Sequence, residues 1–190
     1  MTEDRTSRDK AALRPTLLAA RRETAAARDR DADDLVLSVH VVRLAHELGL
    51  AAGDVVAAYE ALPSEPPTAA TVTALTARGI RVIVPITLPD NDLDWCDAPD
   101  ERRMPLGPDT ISAAGLILTP GLAVDLVGTR LGRGGGSYDR ALARRSPDTH
   151  AFVVLHPGEL HSARLPFDTH DEPVDGMLTV DGVTWFRAGG

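Results

Sequence analysis

The sequence has one cysteine, Cys96, so no internal disulfide can form and the fold must hold without staples. Aromatic residues make up only 4% of the chain, which leaves Leu, Val, Ile and Ala to fill the core. No run approaches the ~18 apolar residues that a membrane-spanning helix needs. The first ten residues, MTEDRTSRDK, lack the apolar stretch of a secretion signal. An excess of positive charge is also missing: the formal net charge is −8, against the basic footprint that phosphate neutralisation on nucleic acid requires. These absences predict a cytoplasmic protein with no membrane, no nucleic acid and no obligate protein partner.

What remains is an ordinary globular mix, 43% hydrophobic and 25% charged over 190 residues, read as one domain spanning 1–190. Residues 8–28 predict a helix with Ser7 as its N-cap. Lys10, Arg14, Arg21 and Arg28 then share one face, and the pattern alone reads as a solvated basic face. Residues 33–48 predict a second helix with a stripe of Leu35, Val39, Val42 and His46. Asp31, Asp33 and Asp34 complement its dipole, and Gly49 stops it.

Strand and helix signals then alternate. Strands are expected at 54–59, 80–86, 93–95, 115–119 and 151–155, with two more in MLTV and VTWF. A helix capped by Thr68 fits 68–78. Pro63, Pro66 and Pro67 forbid regular structure in the loop before it. Short apolar strands alternating with helices predict an α/β layered sheet.

The segment with most chemistry is PGLAVDLVGTRLGRGGGSYDRAL, 120–142. Gly132, Gly134, Gly135 and Gly136 let backbone amides approach an oxyanion closely. A helix predicted to start near Tyr138 would add its N-terminus. Arg130 and Arg133 supply fixed positive charge suited to phosphate. The alternative is a flexible glycine loop with arginines in water. The loop is no Walker A, since GxxxxGK[ST] is absent, and Ser137 breaks the dinucleotide spacing. Asp139 can hold Mg²⁺ against phosphates or charge a helix start. A second acidic cluster, FDTHDEPVDG at 167–176, offers Asp171 or Asp175 as a second Mg²⁺ ligand. His156, His161 and His170 fit no zinc template.

RLGRGGGSYDRAL resembles the ATP-binding signature of the 5-formyltetrahydrofolate cyclo-ligases, also called methenyltetrahydrofolate synthetases. PGLAVD is similar to that family's lead-in, KAALRPTLLAARR to its first helix, SEPPT at 64–68 to its Glu-containing loop, and LPFDTHDEPVD at 165–175 to its His-Asp motif. These segments fall in family order, from Lys10 to about Thr179.

The resemblance implies a three-layer α/β/α sandwich with a mostly parallel sheet, related to the sugar-phosphate isomerase and CoA-transferase-like group. It implies ATP as co-substrate, Mg²⁺ and a reduced folate. ATP would meet Lys10, Arg14, Arg130, Arg133, the glycines 132 and 134–136, and Ser137. Asp139 and Asp171 would hold the metal. Arg133 and Glu65 would serve catalysis, with Glu65 near the reacting end of the folate. Tyr59, Trp95 and Tyr138 would line the pterin pocket.

The chain departs from the family pattern at three places. Ser137-Tyr138 replaces two aromatics, Val124 a phenylalanine, and Gly107-Pro108 a Glu-Pro. The implied reaction is ATP-dependent cyclisation of 5-formyltetrahydrofolate to 5,10-methenyltetrahydrofolate, with ADP and phosphate released. The alternatives are a relative with the same ATP site acting on another formyl or amide compound, and a non-catalytic nucleotide-binding protein.

Overall fold

The computed structural model describes residues 2–186. Two helices lead, α1 (Thr2–Ala26) and α2 (Arg30–Glu47). Then follow β1 (Val55–Ala57), α3 (Ala69–Thr76), β2 (Arg81–Thr87), β3 (Leu93–Asp97), a 3-10 turn (Pro108–Ala113), β4 (Ala114–Pro120), β5 (Ala123–Asp125) and β6 (Arg130–Leu131). The chain closes with α4 (Ser137–Leu142), β7 (His150–Val154), β8 (Leu160–His161), β9 (Gly176–Thr179) and β10 (Gly182–Trp185).

Seven strands form one sheet in the order β10-β9-β7-β4-β1-β2-β3. The five inner strands are parallel, and β3 and β10 close the edges antiparallel. Side chains alternate between faces along each strand. Val56, Val82, Leu116, Leu118, Phe152 and Val154 face Leu37, Val41 and Leu44 of α2 and Leu75 of α3. Ala57, Ile83, Ile117, Ala151 and Val153 face the other way, toward Ile111 of the 3-10 turn and Ala141 and Leu142 of α4. The result is helix, sheet and helix in layers. A second sheet, β6-β5-β8, packs Ala123 and Leu131 with Leu165 against Leu17 of α1.

Several sequence expectations are corrected. Ser7 lies inside α1, which begins at Thr2, so it caps nothing. Of the expected α2 stripe only Val42 packs against the core. Leu35 and Val39 are 64% and 65% exposed and His46 is exposed, while Leu37, Val41, Leu44 and Ala45 are buried. Apolar residues lie on both flanks of α2, and only the sheet decides which is covered. The true N-cap is Asp29, whose carboxylate accepts from the Ala32 amide at 3.0 Å. Thr68 precedes α3 without capping it. Its hydroxyl donates instead to the Tyr59 carbonyl at 2.6 Å, and Asp34 accepts the Ala70 amide from α2. Among the described residues no helix is long and apolar enough to cross a membrane.

Candidate active site

Ligands in open parallel α/β sheets bind beyond the carboxyl ends of the strands, where the strand order reverses. Here β1 lies between β2 and β4, and the chain leaves it in one direction and returns in the other. A cavity of about 510 Å³ opens at that end. Its walls come from the residues that follow β1 (Tyr59, Glu60), the end of β2 (Pro85, Thr87) and the end of β4 (Pro120, Gly121).

Three other segments close it. From α1 come Lys10 and Arg14, one turn apart on the same face. From the loop between β6 and α4 come Gly132, Arg133, Gly134, Gly135, Gly136 and Ser137, then Tyr138 and Asp139 of the helix. From the C-terminal loop come Asp168 and Asp171. Arg130 and Glu65 complete the wall. Of the predicted site residues, all but Trp95 and the alternative metal ligand Asp175 line this one cavity.

The glycine loop is shaped by two left-handed positions. Gly134 has φ of +114° and Gly136 +65°, and Gly136 sits at the start of α4. A side chain at Gly134 would also crowd the Arg14 guanidinium, 3.3 Å from where its Cβ would lie. Arg14 in turn donates to the Gly132 carbonyl at 3.0 Å, tying α1 to the loop.

The charges are arranged in pairs. Lys10 donates to both oxygens of Asp171, and Asp171 also accepts the Asp168 amide at 2.7 Å. Arg130 donates to Asp139 at 2.8 Å and to the Pro120 carbonyl at 3.2 Å. Its guanidinium lies 5.8 Å from the centre of the Tyr138 ring, within cation–π range. Arg133 faces Glu65 across 3.8 Å and is half exposed, the most accessible of these guanidiniums. Glu65 is buried, and its Oε2 accepts the Leu62 amide at 2.9 Å.

Tyr59 is buried and donates its hydroxyl to the Pro66 carbonyl at 2.8 Å. The Tyr138 hydroxyl is buried with no hydrogen-bond partner among the described residues. Burial pushes both phenols above their ordinary range, so both stay protonated. An unsatisfied hydroxyl on a cavity wall has a donor to offer a ligand.

Trp95 is the correction. It is 0% exposed and packs with Ile83 and Ile111 behind the cavity. Because β3 runs antiparallel to β2, Leu93 is set against Thr87 at the cavity rim, and Trp95 falls two pairs further in, opposite Pro85. The solvated reading of Arg21 is overturned as well. Its side chain is 2% exposed and forks onto the Glu159 carboxylate. Arg28 pairs with Asp33.

Asp175 does not reach the cavity; it accepts the Ala151 amide at 2.7 Å between β7 and β9. Asp125 of the lead-in is also internal, accepting amides of Val127, Thr129 and Leu165. Glu60, Thr87 and Asp168 were missed. Thr87 ends an apolar strand and Asp168 lies one turn before Asp171, so position alone could have suggested both.

A family model described as the 5-formyltetrahydrofolate cyclo-ligase family matches residues 6–180. The chain belongs to the 5-formyltetrahydrofolate cyclo-ligase family. It is 32% identical to the 5-formyltetrahydrofolate cyclo-ligase of Mycolicibacterium smegmatis, over 90% of this chain and 94% of that one. The fold is similar to that of a 5,10-methenyltetrahydrofolate synthetase from Mycoplasma pneumoniae. There the TM-score is 0.73 at 20% identity, covering 90% of this chain and 99% of the other. The Aquifex aeolicus 5,10-methenyltetrahydrofolate synthetase gives 0.68 at 23% identity, covering 95% and 94%. The cyclo-ligase family is one of enzymes, and the cavity is its candidate active site here.

Proposed function

We propose that this cyclo-ligase closes 5-formyltetrahydrofolate to 5,10-methenyltetrahydrofolate with ATP, in the cytoplasm. One observation carries the reading. Lys10 and Arg14 of α1 meet the Arg133-glycine loop at a cavity that also presents Glu65 and Tyr138. Cations and free amides suit a triphosphate, while a buried carboxylate and an aromatic ring suit the reacting end of a pterin.

A formyl oxygen on nitrogen is a poor leaving group. Transfer of the γ-phosphoryl onto that oxygen, with ADP leaving, makes it a good one. The second folate nitrogen then attacks the formyl carbon, and phosphate departs. Such transfer needs positioning and charge neutralisation rather than a protein nucleophile. Lys10, Arg14, Arg133 and the glycine amides neutralise and hold the phosphates. Arg130 fixes the loop through Pro120 and Asp139. Glu65 orients the formyl group, and Tyr59 and Tyr138 bound the pterin.

Asp139 and Asp171 fit Mg²⁺ by donor chemistry, since that ion takes one or two carboxylates together with phosphate oxygens and water. When bound, Mg²⁺ would neutralise charge building on the phosphates. Both carboxylates already hold a cation, so metal and nucleotide arriving together would exchange partners with Lys10 and Arg130.

The test is spectrophotometric. Methenyl formation from 5-formyltetrahydrofolate should require both ATP and Mg²⁺. Absence of product with both present sinks the reading. Ser137 favours a second reading, because it leaves one wall of the cavity without an aromatic. A substrate panel followed by ADP release would expose a preference for another formyl compound.

A further inference from the structure

The loop that carries Glu65 cannot pair its backbone in a regular way, because Pro63, Pro66 and Pro67 have no amide hydrogen. Its carbonyls must find donors elsewhere, since buried carbonyls left unpaired are costly. Four consecutive carbonyls do so, each from a side chain. Arg30 donates to Pro63 at 3.0 Å and to Glu65 at 2.7 Å. Tyr59 donates to Pro66 at 2.8 Å. His156 reaches Ser64 at 3.1 Å through Nε2.

His156 differs from the other donors in origin and surroundings. It follows β7, over ninety residues from the loop, and is 4% exposed, so water does not stand in for it readily. The exposed Arg30 can be replaced by solvent; a buried imidazole cannot. A carbonyl only accepts, so Nε2 must carry the hydrogen. Burial lowers the affinity of this imidazole for a second proton, which leaves the neutral Nε2–H form.

The backbone that bears the imidazole is itself held. The His156 amide donates to Glu159 Oε2 at 2.8 Å, and the Glu159 amide returns to the His156 carbonyl at 3.3 Å. Glu159 is gripped by the buried Arg21 of α1, the helix that also carries Lys10 and Arg14. A continuous path therefore runs from α1 through Glu159 and His156 to Ser64, the residue before Glu65.

We propose that His156 is a positioning residue for Glu65, with its imidazole fixing the Ser64 carbonyl and Arg21–Glu159 fixing the backbone that bears the imidazole. The proposal rests on the reading that Glu65 meets the folate. His156 itself touches no substrate. The Glu65 carboxylate has few bonds of its own, one to the Leu62 amide and a long contact to Arg133, so its place follows the backbone that bears it.

The test compares His156→Asn with His156→Gln in the full chain. The glutamine amide can reach where Nε2 lies, and the shorter asparagine amide cannot. The expected result is a fall of about tenfold in kcat/KM for 5-formyltetrahydrofolate in His156→Asn, the cost of one lost buried hydrogen bond. KM for ATP should hold within about twofold, and His156→Gln should restore most of the loss. A purely structural role would lower the melting temperature and move both substrates together.

Glu65→Gln, alone and combined with His156→Asn, completes a double-mutant cycle. If His156 acts through Glu65, the second substitution adds nothing to the first. Independent, additive losses overturn the proposal, as does an unaffected His156→Asn beside a damaged Glu65→Gln. Unchanged folate kinetics in Glu65→Gln instead overturn the reading of Glu65 itself. Should His156→Asn not fold, Arg21→Lys loosens the same path from its far end. It should lower folate kcat/KM in the wild-type background and leave it unmoved in the Glu65→Gln background; additivity there also overturns the proposal.

Discussion

The Lys10 ammonium donates to both carboxylate oxygens of Asp171, a residue 161 positions further along the chain. Two of the cavity's carboxylates are thus paired with its own cations. A cation suited to phosphate is held by a carboxylate suited to metal, and Arg130 with Asp139 repeats the arrangement at 2.8 Å. Lys10 and Arg130 are buried, so each carboxylate can be exchanged only when an incoming anion takes its place on the cation.

Lys10→Met should therefore do two opposite things. KM for ATP should rise by about ten- to hundredfold, since a charge-assisted contact to phosphate is worth roughly 1.5–3 kcal/mol. Affinity for Mn²⁺ in the absence of nucleotide should increase, because Asp171 loses its competing cation. Calorimetric titration of Mn²⁺ into the variant checks the second effect. No gain in metal affinity would count against Asp171 as a ligand.

Arg133→Ala should weaken ATP use by a similar factor, about ten- to hundredfold. The guanidinium is half exposed and makes one long contact, to Glu65, so the melting temperature should barely move. Thermal denaturation and ATP kinetics on the same preparation separate the two. Normal ATP kinetics in a folded variant would remove Arg133 from the phosphate site.

Much of this site was legible because its chemistry is written in residue types. Glycines 134 and 136 and the arginines beside them sit in one short segment, and a backbone with positive φ needs glycine there. The inner strands were legible because IRVIVPI, GLILT and AFVVL are buried on both faces and read as continuous apolar runs. The small sheet was not. Arg130–Leu131 and Leu160–His161 are two residues each, too short to show any period. Arg21 was misread because a helix face tells nothing of a carboxylate 138 positions away that will neutralise it. The same holds for His156 and Ser64, whose meeting depends on β7 lying beside β4, one strand away from β1, in the sheet.

Trp95→Ala tests the correction at β3. The side chain is fully buried among Ile83, Ile111 and Leu142, so its loss opens a cavity in the core. Truncation of a buried aromatic costs roughly 3–5 kcal/mol. Chemical denaturation should show that loss, and the residual folded enzyme should use ATP and folate with nearly normal KM values. A selective folate defect at unchanged stability would return Trp95 to the pocket wall.

Asp139→Asn and Asp175→Asn form a contrasting pair. The first removes a charge from the cavity and should raise the Mg²⁺ concentration needed for half-maximal rate. The second changes a group that accepts the Ala151 amide between two strands, and should leave that requirement where it was. Rates across a Mg²⁺ series decide the matter. A shift in Asp175→Asn alone would move the metal to the other end of the His-Asp segment.

Ser137→Tyr addresses the place where this chain departs from its family. Ser137 opens α4 and lines the cavity beside Tyr138, whose own hydroxyl is buried and unpaired. A second ring there would give the pterin another flat face. Stacking of a base on an aromatic is worth roughly 1–3 kcal/mol in nucleic-acid complexes, and a pterin offers the same kind of flat face. The substitution should lower KM for 5-formyltetrahydrofolate or leave it unchanged, and ATP affinity should stay constant because the glycine amides and Arg133 are untouched and residue 137 keeps its backbone amide for the phosphates. Calorimetric titration of each ligand is the check. Loss of folate binding with ATP binding intact would mean that the cavity needs the space Ser137 leaves, and that its substrate is a bulkier formyl or amide compound.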